Sequence, residues 1–147
     1  MPTAAQFTDW FDKQRFRHFQ AHEFTRYFEA VRRGVRNGVP PRSLWPNLVE
    51  VLRVADDLRE SFGRPCLILS SYRSADFNRA VGGAPMSHHL AFRALDLRIS
   101  GVPSTRVYQR LLDWRREGRF SGGLGLYPSA RFVHLDTRGT NANWRGR

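Results

Sequence analysis

The chain of 147 residues contains a single cysteine, Cys66, which excludes an internal disulfide framework and any metal site built from several thiolates. Lysine is equally scarce: Lys13 is the only one, and the other residues among the 24 basic ones are arginine. No window approaches the ~20 consecutive apolar residues that a bilayer crossing needs, so no membrane span is expected. The first ten residues, Met1 to Trp10, lack a basic stretch followed by an apolar run, and no Sec-type leader is expected either. The expectation is synthesis in the cytoplasm, with any action outside depending on another route of release. Acidic residues number only 13, leaving a formal charge of +11. That balance favours polyanions, whether nucleic acid, an anionic membrane surface or an acid-decorated cell wall, and does not choose among them. The arginines form no block of five or more, so a basic tail is absent and a solvated arginine surface is the plain alternative. There is no internal repeat and no low-complexity segment.

What is present suffices for a core. Hydrophobic residues make up 41% of the chain and aromatics 13%, too much apolar material for a disordered chain, and the length falls in the single-domain range. One domain over residues 1–147 is expected, with residues 1–40 forming N-terminal helices against the core. Phe7, Trp10 and Phe11, then Phe24, Tyr27, Phe28 and Val31, recur at helical spacing and predict two short helices, the second ended by Gly34 and Gly38. After the rigid Val39-Pro40-Pro41-Arg42 connector, Ser43 is a candidate cap for the strongest helix. Its apolar positions run from Leu44 and Trp45 through Leu48, Val51, Leu52, Ala55 and Leu58 to Phe62, and Gly63 supplies a left-handed stop. Glu50, Asp56, Asp57 and Glu60 read as its solvated face. Cys66 to Ser70 is a short buried strand, and Ala94 to Ile99 alternates as another. Ser104 or Thr105 can cap a helix through Trp114 that closes near Gly118. A last hairpin turns around Pro128-Ser129, and Asn141 to Trp144 reads as an irregular tail with Trp144 covering the core edge. The expected class is α+β, a small, mainly antiparallel sheet with helices packed on one side.

The chemistry gathers in Ser87-His88-His89-Leu90-Ala91-Phe92-Arg93-Ala94-Leu95-Asp96 and, far along the chain, Phe132-Val133-His134-Leu135-Asp136. Asp96 interrupts an apolar strand, and a buried carboxylate without a partner costs several kcal/mol. It therefore needs a cation, with Arg93 and Arg98 as ordinary candidates. One imidazole of the His88-His89 pair can fold back over this strand. His134 shares a strand face with Phe132 and Asp136 because side chains alternate with period two. Two imidazoles and a carboxylate suit a zinc ion with one place left for water, whose pKa then falls towards ~7. His18 and His22 are also four apart, but no third ligand follows them at suitable spacing, and they read as part of a connection.

The motif Ser87-x-His89 with Ala94-x-Asp96 and a distant His134 resembles the zinc-ligand signature of the D-alanyl-D-alanine metallopeptidases, relatives of lysostaphin-type and hedgehog folds that cleave peptidoglycan peptides. The likeness extends to Ser70-Ser71-Tyr72-Arg73-Ser74, Asn78 to Ala84, Gly122 to Pro128 and Phe132 to Asp136, and further to His18-Phe19, Glu23-Phe24 and Leu44 to Leu48. The resemblance implies His89, rather than His88, with Asp96 and His134 as zinc ligands, and Arg73 as the clamp of a substrate carboxylate or oxyanion, with Ser87 and Tyr72 offering hydrogen bonds to peptide. Two positions depart from the pattern. Phe92 stands where glycine is usual, so either the loop turns another way or Phe92 fills substrate space. Arg131 stands where relatives carry an acidic base, leaving Asp136 to take the proton or to orient His134. The expected function is a zinc-dependent peptidoglycan peptidase, a D,D-carboxypeptidase or endopeptidase acting as a monomer. Anionic wall polymers are further partners, and a phage lysis enzyme or virion module is the expected setting. The rival is an inactive module on the same fold that binds wall peptide or nucleic acid.

Overall fold

The computed structural model describes residues 1–147, and its centre is a five-stranded sheet. The elements in chain order are α1 (Ala4–Asp12), α2 (His22–Phe28), β1 (Val31–Arg32), β2 (Val35–Arg36), α3 (Trp45–Phe62), β3 (Cys66–Ser70), α4 (Ala75–Ala80), β4 (Ala94–Ile99), α5 (Ser104–Arg116), β5 (Gly123–Tyr127), β6 (Phe132–Asp136) and β7 (Ala142–Arg145). The sheet order is β3-β4-β6-β5-β7. All its pairings are antiparallel except β5 with β7. The expected α+β class and mainly antiparallel sheet are what the chain forms.

One face of the sheet is apolar, and one core of 28 buried residues joins it to the helices. Ile68, Leu95, Leu97, Leu124, Val133 and Leu135 face Leu48, Leu52 and Leu58 of α3 and Val107 and Leu111 of α5. Period-two alternation sends the intervening residues, Asp96, His134 and Gly125, to the opposite face. The α3 helix ends as expected, with Gly63 at φ 64 and its N–H bonded to Arg59 O. Its start differs. Residues Arg42–Leu44 make a 3-10 turn, Leu44 takes the cap position without a side-chain bond, and Pro46 sits in the first turn. Ser43 therefore does not cap. Neither Ser104 nor Thr105 caps α5, since Ser104 is already helical and Pro103 precedes it.

Other expectations are corrected, and a short helix, α4, forms where none was expected. The second helix stops at Phe28, and Val31 to Arg36 form a two-residue hairpin turning at Arg33 and Gly34, both with positive φ. The six-residue α4 caps itself on Ser74, whose hydroxyl accepts Phe77 N–H. The tail is a strand, β7, rather than irregular. Asp56, placed by its neighbours on a solvated face, is buried: its carboxylate accepts N–H bonds from the backbone of Arg17 and His18 and from Arg17 Nε. It ties the segment between α1 and α2 to α3. His18 meets Glu60 and His22 is exposed, so the pair forms no metal site.

Phe92 resolves the question posed by its missing glycine. The backbone there is left-handed, φ 58 and ψ 32, ending the 3-10 turn His88–Ala91. The side chain is fully buried and packs against Phe7, Phe28 and Tyr72 at ring separations of 5.9, 6.3 and 5.8 Å. It fills the core and not the substrate space. A left-handed L-residue costs roughly 1–2 kcal/mol, which a buried phenyl ring more than offsets. Phe92→Ala is expected to lower the unfolding free energy by about 3–5 kcal/mol, and Phe92→Gly by about 1–2 kcal/mol less, because glycine tolerates the turn. Urea unfolding midpoints of the two variants measure the difference, and the reverse order would remove the strain argument.

Candidate metal centre

The sheet places five residues in one cross-strand row. Ser70 pairs with Asp96 after an irregularity in β3, Asp96 with His134, His134 with Gly125, and Gly125 with Trp144. The 3-10 turn His88–Ala91, capped by Ser87 Oγ on His89 N–H, brings His89 over this row. One nitrogen of each imidazole and one oxygen of Asp96 lie within 4.8 Å of one another. All three residues are buried.

Their hydrogen bonds fix the tautomers. His89 Nδ1 lies 2.6 Å from the carbonyl of Ser71; a carbonyl only accepts, so Nδ1 carries the proton and Nε2 a lone pair. That Nε2 lies 3.3 Å from Asp96 Oδ1, yet it is buried and makes no hydrogen bond. An orphaned lone pair aimed at a carboxylate calls for a cation between them. His134 Nε2 donates to Asp136 Oδ2 at 2.8 Å, and its Nδ1 lies 3.0 Å from Asp96 Oδ1. The donor set of two imidazoles and one carboxylate fits zinc or a similar divalent ion, and the outward hydrogen bonds match those that orient metal-bound histidines.

The electrostatics point the same way. Burial pushes His89 below the ordinary imidazole range, keeping it neutral. Burial also opposes charge on His134, but its bonds to Asp136 and Asp96 outweigh that and raise its pKa. Asp96 is raised by burial but pulled well below the carboxylate range by His89 and His134. Asp136 is likewise raised by burial and then lowered further by Arg138 and His134. The His134 ring thus lies between two carboxylates, Asp96 and Asp136, that favour its charged form. A cation at Nδ1 competes with a proton there.

Asp136 is fully buried and its oxygens are saturated. Oδ1 accepts from Gly123 N, Arg138 N and Arg138 Nε, while Oδ2 accepts from Arg138 Nη2 and His134 Nε2. Arg73 reaches the site from the loop after β3: its Nε donates to Ser70 Oγ, Nη1 to Asn78 Oδ1, and Nη2 lies 3.5 Å from Asp96 Oδ2. Asn78 is itself fixed by donating to Ala84 O. A Cβ on Gly83 would lie 2.0 Å from Asn78 Oδ1, so the loop needs glycine there. Arg73, Gly83, His89, Asp96, His134 and Arg138 line a cleft of about 570 Å³ together with His88, Ser87, Tyr127, Phe132 and Trp144. A hollow of about 640 Å³ at the far end of β4 contains Arg98 and Arg131 but no imidazole, thiol or carboxylate with which to hold a metal ion.

Of the remaining residues singled out from the sequence, His88 lines the cleft outside the ligand group. Tyr72 packs into the core against Phe92 and does not line the cleft. Arg93 and Arg98 make no ion pair with Asp96; Arg98 donates instead to the carbonyls of Arg131 and Ala130. Arg131 sits in the β5–β6 turn with φ 58 and is exposed. Nothing in the residue order singles out Arg138 or the Ser71 carbonyl, and Trp144 is expected at the core edge. In fact Trp144 lies 5.0 Å from the His134 ring. The alternate glycines Gly123 and Gly125 were the available signal, since glycine inside a strand marks close approach by another group.

The family described as Peptidase M15 matches residues 17–136, which include all three candidate ligands. The chain belongs to the Peptidase M15 family. Within curated proteins it is similar to the probable peptidoglycan L,D-endopeptidase MepK of Haemophilus influenzae, 36% identical over 84 residues, or 54% of this chain and 42% of that protein. It is also 35% identical over 86 residues to the peptidoglycan L,D-endopeptidase MepK of Escherichia coli K12, covering 55% of this chain and 44% of the relative. The match therefore spans less than half the length of these relatives. No helix of this M15 chain is long and apolar enough to cross a membrane.

The M15 chain is expected to bind one equivalent of zinc by equilibrium dialysis, releasing protons and binding more tightly as pH rises through neutrality. His89→Ala and Asp96→Ala should abolish binding, and Asp136→Asn should weaken it roughly 10–100-fold. Undiminished affinity in all three would separate the ion from this group.

Proposed function

We propose that this chain is a zinc-dependent peptidase that hydrolyses peptidoglycan peptides, cutting a bond of the L,D type. The observation that carries the reading is the unpartnered His89 Nε2, buried and facing Asp96 Oδ1 and His134 Nδ1. M15 membership supports peptide hydrolysis, and the names of both relatives favour an endopeptidase over a D,D-carboxypeptidase. His89, Asp96 and His134 would hold the ion. Bound there, zinc supplies Lewis-acid polarisation of an amide carbonyl and acidification of a water.

The protein's own groups do the rest. The Ser71 carbonyl and Asp136 hold the two imidazoles so that one nitrogen of each faces inward. Asp136 has no free oxygen face with which to take a proton from water, so of the two roles open to it orientation of His134 is the one its bonding supports. Arg73 is anchored on Ser70, Asn78 and Asp96, and its remaining N–H groups are available to a substrate carboxylate in the cleft. Burial lowers its pKa from the ordinary arginine value, and Asp96 opposes that shift. It stays charged at neutral pH. The positive surface favours retention on anionic wall polymers.

Mass spectrometry of muropeptides digested with and without chelator tests the reading. The expected outcome is zinc-dependent release of new amino groups at an L,D bond, abolished in His89→Ala and His134→Ala. Arg73→Ala should lower kcat/KM by about 10²-fold; a change confined to KM assigns it to carboxylate binding, and one in kcat to the oxyanion. Saturable muropeptide binding without cleavage at any pH would instead support a binding module.

A further inference from the structure

Three aromatic rings on the catalytic face have no place in the core. Tyr127, Phe132 and Trp144 are half-buried, lie outside the cluster that joins sheet to helices, and line the cleft beside His134. Phe132 precedes His134 by two on β6, and Tyr127 pairs with Phe132 across the hairpin. Trp144 stands in the row of Asp96 and His134, separated from them only by Gly125.

The rings are built as one rigid surface. Tyr127 stacks on Phe132 with centroids 4.4 Å apart and planes 10° from parallel. Trp144 donates its indole N–H to Tyr127 Oη at 2.8 Å and lies under the Arg138 guanidinium. Two glycines make the bed. A Cβ on Gly125 would sit 2.4 Å from Trp144 Nε1, and one on Gly146 would sit 2.2 Å from the Tyr127 ring. The polar handles of Tyr127 and Trp144 are satisfied against each other, and the formal charge at this wall is the Arg138 guanidinium over the Trp144 ring. Trp144 lies beyond the part of the chain matched by the family.

Across the sheet the order is Arg73 beside Ser70, then Asp96 and His134, then Trp144 with Tyr127. A peptide laid along that line, with its carboxylate on Arg73 and its scissile amide over the histidines, sends the residue that supplies the carbonyl onto the aromatic wall. We propose that Tyr127, Phe132 and Trp144 form the specificity subsite for a long aliphatic side chain on that residue. The inference rests on the peptidase reading above. The wall favours methylene groups over a methyl through apolar contact with the rings.

Two synthetic stem tetrapeptides, free of sugar and differing only at the residue that supplies the scissile carbonyl, test it. One carries norleucine there and the other alanine. Binding is measured by calorimetry on the full chain stripped of metal, and kcat/KM on the zinc-loaded chain. The native protein should prefer norleucine at least about tenfold in both assays. Trp144→Ala should bring the ratio close to one by weakening the norleucine peptide more than the alanine peptide. Phe132→Leu, a milder change, should reduce the ratio partway and gives the answer if Trp144→Ala fails to fold. An unchanged ratio in the variants, or equal weakening of both peptides, assigns the rings a structural role and overturns the subsite. Cleavage of both peptides at equal rates by the native chain removes the subsite alone. A native chain that neither binds nor cleaves either peptide removes the peptidase reading with it.

Discussion

A carboxylate and an imidazole set directly opposite each other on neighbouring antiparallel strands have Cβ atoms about 4.5–5.5 Å apart. That distance lets both reach one ion without any backbone adjustment. Asp96 and His134 are such a pair, and the geometry of the site follows from it. The register is enforced from behind, because a slip of one residue would turn Leu95, Leu97, Val133 and Leu135 out of the core. The apolar face of the sheet thus sets the position of two candidate ligands it never touches. Only the third, His89, comes from irregular backbone, and there the turn is fixed at both ends: Ser87 Oγ caps its start, and Phe92 anchors its left-handed exit.

Around this pair the outer hydrogen bonds are nearly complete. Asp136 gathers five bonds and directs His134; the Ser71 carbonyl directs His89; Ser70 and Asn78 steady Arg73. Four buried side-chain atoms lack a partner, Ser71 Oγ, Arg93 Nε, Thr137 Oγ1 and His89 Nε2. Of these only His89 Nε2 belongs to the candidate ligand group, and an unmatched lone pair there has diagnostic weight. The same small residues that admit the network, Gly123 and Gly125, also admit the rings and guanidinium that close over it.

Much of this was legible from residue order. Period-two alternation placed Asp96 on one face of its strand and His134 with Asp136 on one face of another, and the apolar run from Trp45 to Phe62 gave α3. What could not be read was adjacency: nothing local states that β4 lies next to β6, and the Ser71 carbonyl is backbone, invisible to any reading of side-chain types. Short elements were lost for a different reason. α4 has six residues, too few for periodicity, and Val31 continued the helical spacing of Phe24 and Phe28 although it belongs to a hairpin. Asp56 was misplaced because its partners are the amides of Arg17 and His18, 39 and 38 residues away in sequence. The choice between His88 and His89 rested on resemblance alone until the turn showed which ring faces Asp96.

Phe92 joins two parts of the molecule that otherwise share little. One side of it is the turn bearing His89; the other is the aromatic cluster of Phe7, Phe28 and Tyr72, contributed largely by the N-terminal helices. A disturbance among those distant rings reaches the ligand through a single phenyl group in a backbone conformation that resists adjustment. Mutational scans scored by ion binding will therefore mark Phe7 and Phe28 as though they belonged to the site, and only a parallel measure of folded protein will tell foundation from machinery.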